Sequence, residues 1–384
     1  MLKGVDKLNS IIISGYYGFE NCGDEAILLA MIQEFSKYIP KEKIIVLSRN
    51  PHKTKLSYQV NSIHRLNPFL VILKILQTSV FVSGGGGLLQ DVTGKGYSVF
   101  YYLSLIFLAS LFNIPCVIYA QGIGPIEKDL NRKLIKWVLN KVDLILVRDK
   151  PSKVLLQELG ISGKSIKVNA DPSFLLKKTV ISESKKIEPK SDQSEETYKK
   201  TNIGIVLRNC KEIARDYDNK LDQFAKLADH LIDKYQSNLF FIPFQANIDS
   251  PFMREIIKRM KNSSAVHIED ECRPEQVLIL YRKLSLIIGM RFHSIVFAVM
   301  ENKPFLAIDY DPKVRNFVND LNTPELLINI NKLTVKIIDN KLKYISTNKK
   351  RIQAILNEKK ENFEKKAYCN VRQFYEFITE KYLS

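Results

Sequence analysis

Ile11-Ile12-Ile13-Ser14-Gly15-Tyr16-Tyr17-Gly18-Phe19-Glu20-Asn21-Cys22-Gly23-Asp24-Glu25 joins a β-branched run to a glycine-rich loop and then to helix-spaced residues. A buried strand turning tightly into a helix has this pattern. Isoleucines suit extended backbone, while glycines at 15, 18 and 23 permit the turn and let backbone N–H groups approach a ligand. Short apolar runs recur at 43–47, 79–83, 115–120, 143–147 and 165–169, with helix-spaced segments such as 24–38 and 131–140 between them. That alternation predicts a parallel sheet with helices on both faces. Asp129 is placed to cap the helix at 131–140.

Beyond Asp171-Pro172-Ser173 the chain from 177 to 201 is rich in Lys, Glu, Ser and Asp and reads as a solvated linker. A second alternation follows, with strands expected at 202–207, 238–243, 265–268, 284–288 and 304–308. The fold class expected is α/β, with two doubly wound Rossmann-like domains at 1–176 and 202–346, the linker at 177–201 and a C-terminal helical segment at 347–384. A chain of 384 residues is long enough for two cores.

The composition, 45% hydrophobic and 26% charged, is that of a soluble globular protein. Five scattered cysteines without a C-x-x-C pair argue against a disulfide framework and a zinc knuckle, and no metal site is expected. The polar N-terminus lacks a signal-peptide pattern, so a cytoplasmic location is expected. A net charge of +17, from 58 Lys and Arg against 41 Asp and Glu, favours an anionic partner. No RNA-binding aromatic signature is present, and nucleic acid is not expected as a partner. The longest apolar stretch, 97–120, is divided by Asn113 and Pro115, which predicts an interior helix followed by a buried strand rather than a membrane span. Any membrane contact is then peripheral, at the inner face.

In open parallel sheets ligands lie beyond the carboxyl ends of the strands, so the loops there are where chemistry is sought. In the first loop Tyr16 and Asn21 are acceptor candidates. Asp24 and Glu25 either complement the helix dipole or do acid–base work. The third run leads into Ser83-Gly84-Gly85-Gly86-Gly87-Leu88-Leu89-Gln90-Asp91, which reads as a strand-to-helix turn or a backbone anion nest. Gly85, Gly86, Gln90 and Asp91 are the candidates there, and Gln121 heads the next crest, QGIGP. Neither G-x-x-x-x-G-K-[ST] nor G-x-G-x-x-G is met, which disfavours ATPases and nicotinamide enzymes. Arg148-Asp149 follows the fifth run, and a guanidinium there can clamp a carboxylate or phosphate, pair with Asp149, or leave Asp149 to cap a helix. In the second half, Gly289-Met290-Arg291-Phe292-His293-Ser294 and Asp309-Tyr310-Asp311-Pro312-Lys313 deliver Arg291, His293 and Lys313 after successive strands. This cation-rich grouping points to an acidic substrate.

Taken in order, GYYGFENCGDEAIL, GGGGLLQD, QGIGP, VRD, ADPSF, GMRFHSIVFA and YDPKV resemble the polysaccharide pyruvyl transferase family, most closely its CsaB branch. The resemblance implies a GT-B-like fold and transfer of a pyruvyl group from phosphoenolpyruvate to a sugar diol, giving a cyclic ketal. Phosphoenolpyruvate is then a co-substrate, and no cofactor is implied. For this branch the acceptor implied is N-acetylmannosamine in a lipid-linked secondary cell-wall polysaccharide precursor, whose ketal later anchors S-layer homology domains. Donor binding falls by resemblance on Arg148, His293 and Lys313, with Arg291 a further cation, and His293, Asp24 and Glu25 are the catalytic candidates. Cys22 departs from the small or apolar residue more usual there. The alternatives are a GT-B glycosyltransferase using a nucleotide sugar, and a non-enzymatic binder of anionic glycan or membrane.

Overall fold

The computed structural model describes residues 8–92, 97–161, 165–176, 201–269 and 273–383. The chain divides into two units, Met1–Leu176 with Asn362–Ser384, and Lys177–Glu361.

In the first unit the strands are β1 (Ile11–Ser14), β2 (Ile44–Ser48), β3 (Asn61–His64), β4 (Val80–Ser83), β5 (Cys116–Gln121), β6 (Leu144–Val147) and β7 (Ile166–Val168). They form one parallel sheet in the order β3-β2-β1-β4-β5-β6-β7. Its helices are α1 (Cys22–Phe35), α2 (Pro51–Tyr58), α3 (Pro68–Gln77), α4 (Tyr97–Leu111), α5 (Asp129–Leu139) and α6 (Lys150–Glu158). Residues of β5 alternate between two cores: Cys116 and Ile118 join the core under α3, α4 and α5, while Val117 and Tyr119 join the one under α1. Burial on both faces is why the strands read as continuous apolar runs. The stretch 97–120 resolves into α4 and β5. Asn113 adopts φ +55°, and Ile114 N–H donates to Ala109 O at 2.9 Å, a left-handed stop that ends α4 before Pro115.

The second unit contains β8 (Thr201–Val206), β9 (Ser237–Phe241), β10 (Val266–Ile268), β11 (Leu286–Gly289), β12 (Phe305–Asp309) and β13 (Leu327–Asn329) in the parallel order β10-β9-β8-β11-β12-β13. Its helices are α7 (Lys211–Ala214), α8 (Tyr217–Tyr235), α9 (Ala246–Arg259), α10 (Pro274–Lys283), α11 (Phe292–Met300), α12 (Pro312–Asp320) and α13 (Val335–Thr347). Strand order reverses between β1 and β4 in one sheet and between β8 and β11 in the other. Such switch points open a crevice at the carboxyl ends of the two strands.

Several expectations are corrected. Strands β3 and β13 lie where the sequence predicts none; both are short edge strands with partly exposed residues, Asn-Ser-Ile-His and Leu-Ile-Asn. Asp129 is the first residue of α5 rather than its cap; the cap position is Lys128, with no side-chain cap bond. The linker expected at 177–201 lies outside the described residues except for Thr201, which opens β8. The expected C-terminal helix is α14 (Lys349–Leu383), grouped with the second unit up to Glu361 and with the first from Asn362. Ile352 and Leu356 are buried in the earlier part. In the later part Phe374 stacks on Phe35 at 4.5 Å, and the Tyr375 hydroxyl donates to Phe35 O at 3.1 Å.

Candidate active site

In the first unit, the loop after β1 meets the loop after β4 at the switch point. The glycines there make room for side chains of the protein. A Cβ on Gly15 would lie 2.3 Å from the ring of Tyr17, and one on Gly84 would lie 2.3 Å from its hydroxyl. Tyr17 is fully buried, and that burial pushes its hydroxyl pKa well above the ordinary value. At Gly85 the obstructing atom is Ile27 Cγ2, at 2.8 Å. Gly86, with φ +94°, would press a Cβ within 2.6 Å of Asp24 Oδ1. Loop packing around Tyr17, Ile27 and Asp24 therefore accounts for Gly84, Gly85 and Gly86, and an anion nest is not needed to explain them.

The acidic candidates separate on geometry. Glu25 Oε1 accepts from Gly18 N–H at 2.8 Å and Oε2 from the Tyr58 hydroxyl at 2.5 Å. Burial raises its pKa against those two hydrogen bonds, and Glu25 acts as an anchor for the loop. Asn21 caps α1, its side-chain oxygen accepting from Gly23 N–H at 3.1 Å. Asp91, buried, accepts from Glu127 N–H at 2.8 Å, Lys128 N–H at 3.0 Å and Asn131 Nδ2 at 2.8 Å. Burial opposes ionisation of its carboxyl, but these donors prevail and hold the pKa below the usual value. Asp91 thus fastens the start of α5, satisfying donors at the helix entry. Gln90 sits half-buried beside it.

Ser14, Ser83 and Gln121 end β1, β4 and β5. Gln121 Nε2 donates to Ser83 Oγ at 2.7 Å. Gln121 Oε1 and Ser14 Oγ are buried without a hydrogen-bond partner among the described residues. Arg148, also buried, packs over Gly122, where a Cβ would come within 2.7 Å of its guanidinium. It pairs with Asp171 at 3.1 Å and with Asp149 at 3.4 Å. Asp149 also caps α6 by accepting from Ser152 N–H at 2.9 Å. The pairing and capping roles weighed for Asp149 both occur.

Arg65, absent from the sequence candidates, follows β3 and is buried in an aromatic cage. Its guanidinium carbon lies 4.1 Å from the ring centroid of Tyr101, 5.1 Å from Phe19 and 5.3 Å from Tyr102. It donates to Gly15 O at 3.2 Å. Half-buried Tyr16 stacks on Phe19, centroids 4.0 Å apart and planes 2° apart. A flat aromatic surface over a cation suits the apolar face of a sugar ring.

In the second unit, Val206 of β8 and Gly289 of β11 are register partners, and Arg208 and Arg291 each stand two residues beyond them. The Arg291 Nε and Nη2 donate to Asp249 at 3.0 and 2.5 Å, and the Asp249 side chain is wholly buried. Much of this cation's charge is spent inside the protein. Arg208, also missed in the sequence, donates to the Tyr310 hydroxyl at 3.4 Å across the ends of β8 and β12. Burial raises the Tyr310 pKa, with Arg208 pulling the other way. His293 lies buried in the first turn of α11, edge-on to Phe292 at 5.1 Å. Lys313 is half-buried in the first turn of α12, its N–H donating to the Asp311 cap at 2.9 Å. Two helix N-termini carrying a histidine and a lysine, after adjacent strands, form an electropositive edge suited to an anion. Among the described residues no group of three or more His, Cys, Asp or Glu could hold a metal ion.

A family model described as polysaccharide pyruvyl transferase matches residues 21–312. The chain belongs to the polysaccharide pyruvyl transferase family. The match takes in Asp24, Arg148, Arg208 and His293 and stops one residue before Lys313. A curated relative, the amylovoran biosynthesis protein AmsJ of Erwinia amylovora, is 22% identical over 280 residues, which is 68% of this chain and 63% of that protein. Solved structures share the fold of this family member at low identity. The MnaA–UDP co-structure from S. aureus has a TM-score of 0.63 at 14% identity, covering 97% of this chain and 96% of that one. The UDP-GlcNAc 2-epimerase of Neisseria meningitidis bound to UDP-GlcNAc has a TM-score of 0.60 at 14% identity, covering 95% and 100%. Anabaena Alr3699/HepE in complex with UDP and glucose has a TM-score of 0.59 at 12% identity, covering 96% and 99%. The architecture is GT-B-like.

Proposed function

We propose that this protein transfers the pyruvyl group of phosphoenolpyruvate to a diol on a sugar of a polysaccharide precursor, forming a pyruvate ketal. Family membership supports the reaction class. The observation that carries the donor assignment is the placing of His293 and Lys313 in the first turns of α11 and α12, after the adjacent strands β11 and β12. Phosphoenolpyruvate carries a carboxylate and a phosphate, and His293 and Lys313 on one sheet edge suit those charges; Arg148 is assigned to the donor by the family resemblance. Arg291 acts mainly through Asp249, keeping the turn into α11 in place.

His293 delivers a proton to the methylene carbon of the enol, giving an oxocarbenium-like centre at the adjacent carbon. One sugar hydroxyl adds to that centre, its proton passing to Asp24. The bond from the same carbon to the phosphate oxygen then breaks and the second hydroxyl closes the ring. Of the two hydroxyl protons released, one restores the acid and the other leaves with inorganic phosphate. Asp24 is the base in this reading and Glu25 the anchor of its loop, both Glu25 oxygens being engaged. The acceptor sugar rests against Tyr16 and Phe19, and following the CsaB branch it is N-acetylmannosamine on a lipid-linked cell-wall precursor at the cytoplasmic face.

Calorimetric titration with phosphoenolpyruvate tests the donor assignment. Lys313→Ala should weaken binding by about 1.5 to 3 kcal/mol, the scale of a lost charge-assisted contact; Arg148→Ala also strands the buried Asp171 carboxylate, so its donor binding is read beside its melting temperature. Wild-type protein that binds a nucleotide sugar and not phosphoenolpyruvate would overturn it.

A further inference from the structure

The outer surfaces of α3 and α4 lack the usual polar coat, and α5 beside them carries exposed lysines. Val71 and Ile75 of α3 point into the core, yet Phe69 is 83% exposed and Leu73 and Leu76 are each 47% exposed on the opposite side. A helix apolar all round is expected in the interior. The neighbouring α4 contains no charged residue, and its outward positions include Phe100 and Leu111, 41% and 60% exposed. The exposed positions of α5 are Asp129, Leu130, Lys133, Lys136 and Trp137, and Lys141 follows in the turn after the helix. Trp137 is 51% exposed, lies 4.6 Å from Phe107 of α4 and carries the Lys141 ammonium 5.4 Å from its ring centroid. The apolar surface therefore runs without a break from α4 to a helix edged with lysine.

We propose that this three-helix face docks on the surface of an anionic lipid bilayer, Phe69, Leu73 and Leu76 entering the headgroup–acyl boundary while Lys133 and Lys141 meet lipid phosphates. Three observations favour lipid over a protein partner. Neither α3 nor α4 contains an Asp or Glu. The single tryptophan sits between lysines at the edge of the apolar area, the arrangement that suits a headgroup region. The chain as a whole carries +17, which complements an anionic leaflet. Among the described residues no helix is long and apolar enough to cross a membrane, so this contact is interfacial. The face begins beside the aromatic cage, since Leu66 directly follows Arg65 and Phe69 stands four residues beyond it.

The test is flotation of the full chain with vesicles of phosphatidylglycerol and phosphatidylcholine, compared with phosphatidylcholine alone, at low and high salt. Wild type should float with the anionic vesicles, and emission from Trp137, the chain's only tryptophan, should shift to the blue. Combining Phe69→Ser, Leu73→Ser and Leu76→Ser should lower partitioning by about tenfold or more, because three exposed apolar side chains lose their burial in lipid. Its melting temperature should stay at the wild-type value. Lys133→Gln with Lys141→Gln should weaken binding and flatten its salt dependence. An unchanged Trp137 spectrum with no flotation would overturn the proposal. So would undiminished flotation of the α3 variant, or an α3 variant that turns a dimer into a monomer while lipid binding is unchanged. Partitioning is read with no donor or acceptor present, so its failure leaves the pyruvyl-transfer reading untouched.

Discussion

Arg291 and Lys313 both follow strands in the second unit, but removing them has different consequences. Arg291→Ala would strand the buried Asp249 carboxylate, and breaking a buried pair in this way costs about 3 to 5 kcal/mol. Thermal unfolding should show a clear drop for Arg291→Ala and little change for Lys313→Ala; equal melting temperatures would mean that the pair contributes nothing. His293→Gln separates binding from chemistry. With phosphoenolpyruvate saturating, its single-turnover rate should fall far more than its donor affinity, and a near-normal rate at saturation would remove His293 as the acid. Arg148, His293 and Lys313 stand out as candidates in the sequence because each comes within four residues of the end of a recognisable apolar run. It could not show that Arg291 is engaged with Asp249, since that pairing spans 42 positions and depends on how α9 packs. Arg208 obeys the same strand-end rule and was legible in principle. Arg65 was not, because the strand before it is polar.

At the scale of elements, the interior strands were legible because burial on both faces imposes unbroken β-branched and apolar runs. Edge strands β3 and β13 escape that constraint and leave almost no signal. The glycine run was visible, but its cause was not: the ring of Tyr17 and the carboxylate of Asp24 occupy the space that glycine opens. Asp91 shows the same gap between a residue and its use, lying 36 residues before the N–H that it accepts from. Its carboxyl pKa is depressed in the folded protein, so its stabilisation is present above the unfolded value of about 3.9 and is lost as pH falls through the folded value. Asp91→Asn should therefore melt below wild type at neutral pH, with the gap closing as pH drops below about 4. A gap that stays constant across that range would show that the charge of Asp91 does not stabilise α5.

For the whole molecule, two doubly wound sheets could be read from alternation, and a terminal helix from about Lys349 that packs back could be expected, but not which residues of α14 do the packing. Its sequence is dominated by charge, and only Phe374, Tyr375 and their neighbours, seen against Phe35 and Tyr119, show that its later part completes the core of the first unit. Arg148 belongs to the first unit and His293 and Lys313 to the second. The most direct measurement is mass spectrometry of an N-acetylmannosamine-containing disaccharide acceptor incubated with the full chain and phosphoenolpyruvate, with released phosphate quantified in the same reaction. Pyruvyl transfer predicts that ketal appears and phosphate is released in equal amounts, both abolished in His293→Gln. Unmodified acceptor with phosphoenolpyruvate intact, while a nucleotide sugar is consumed and a glycosylated product formed, would contradict it.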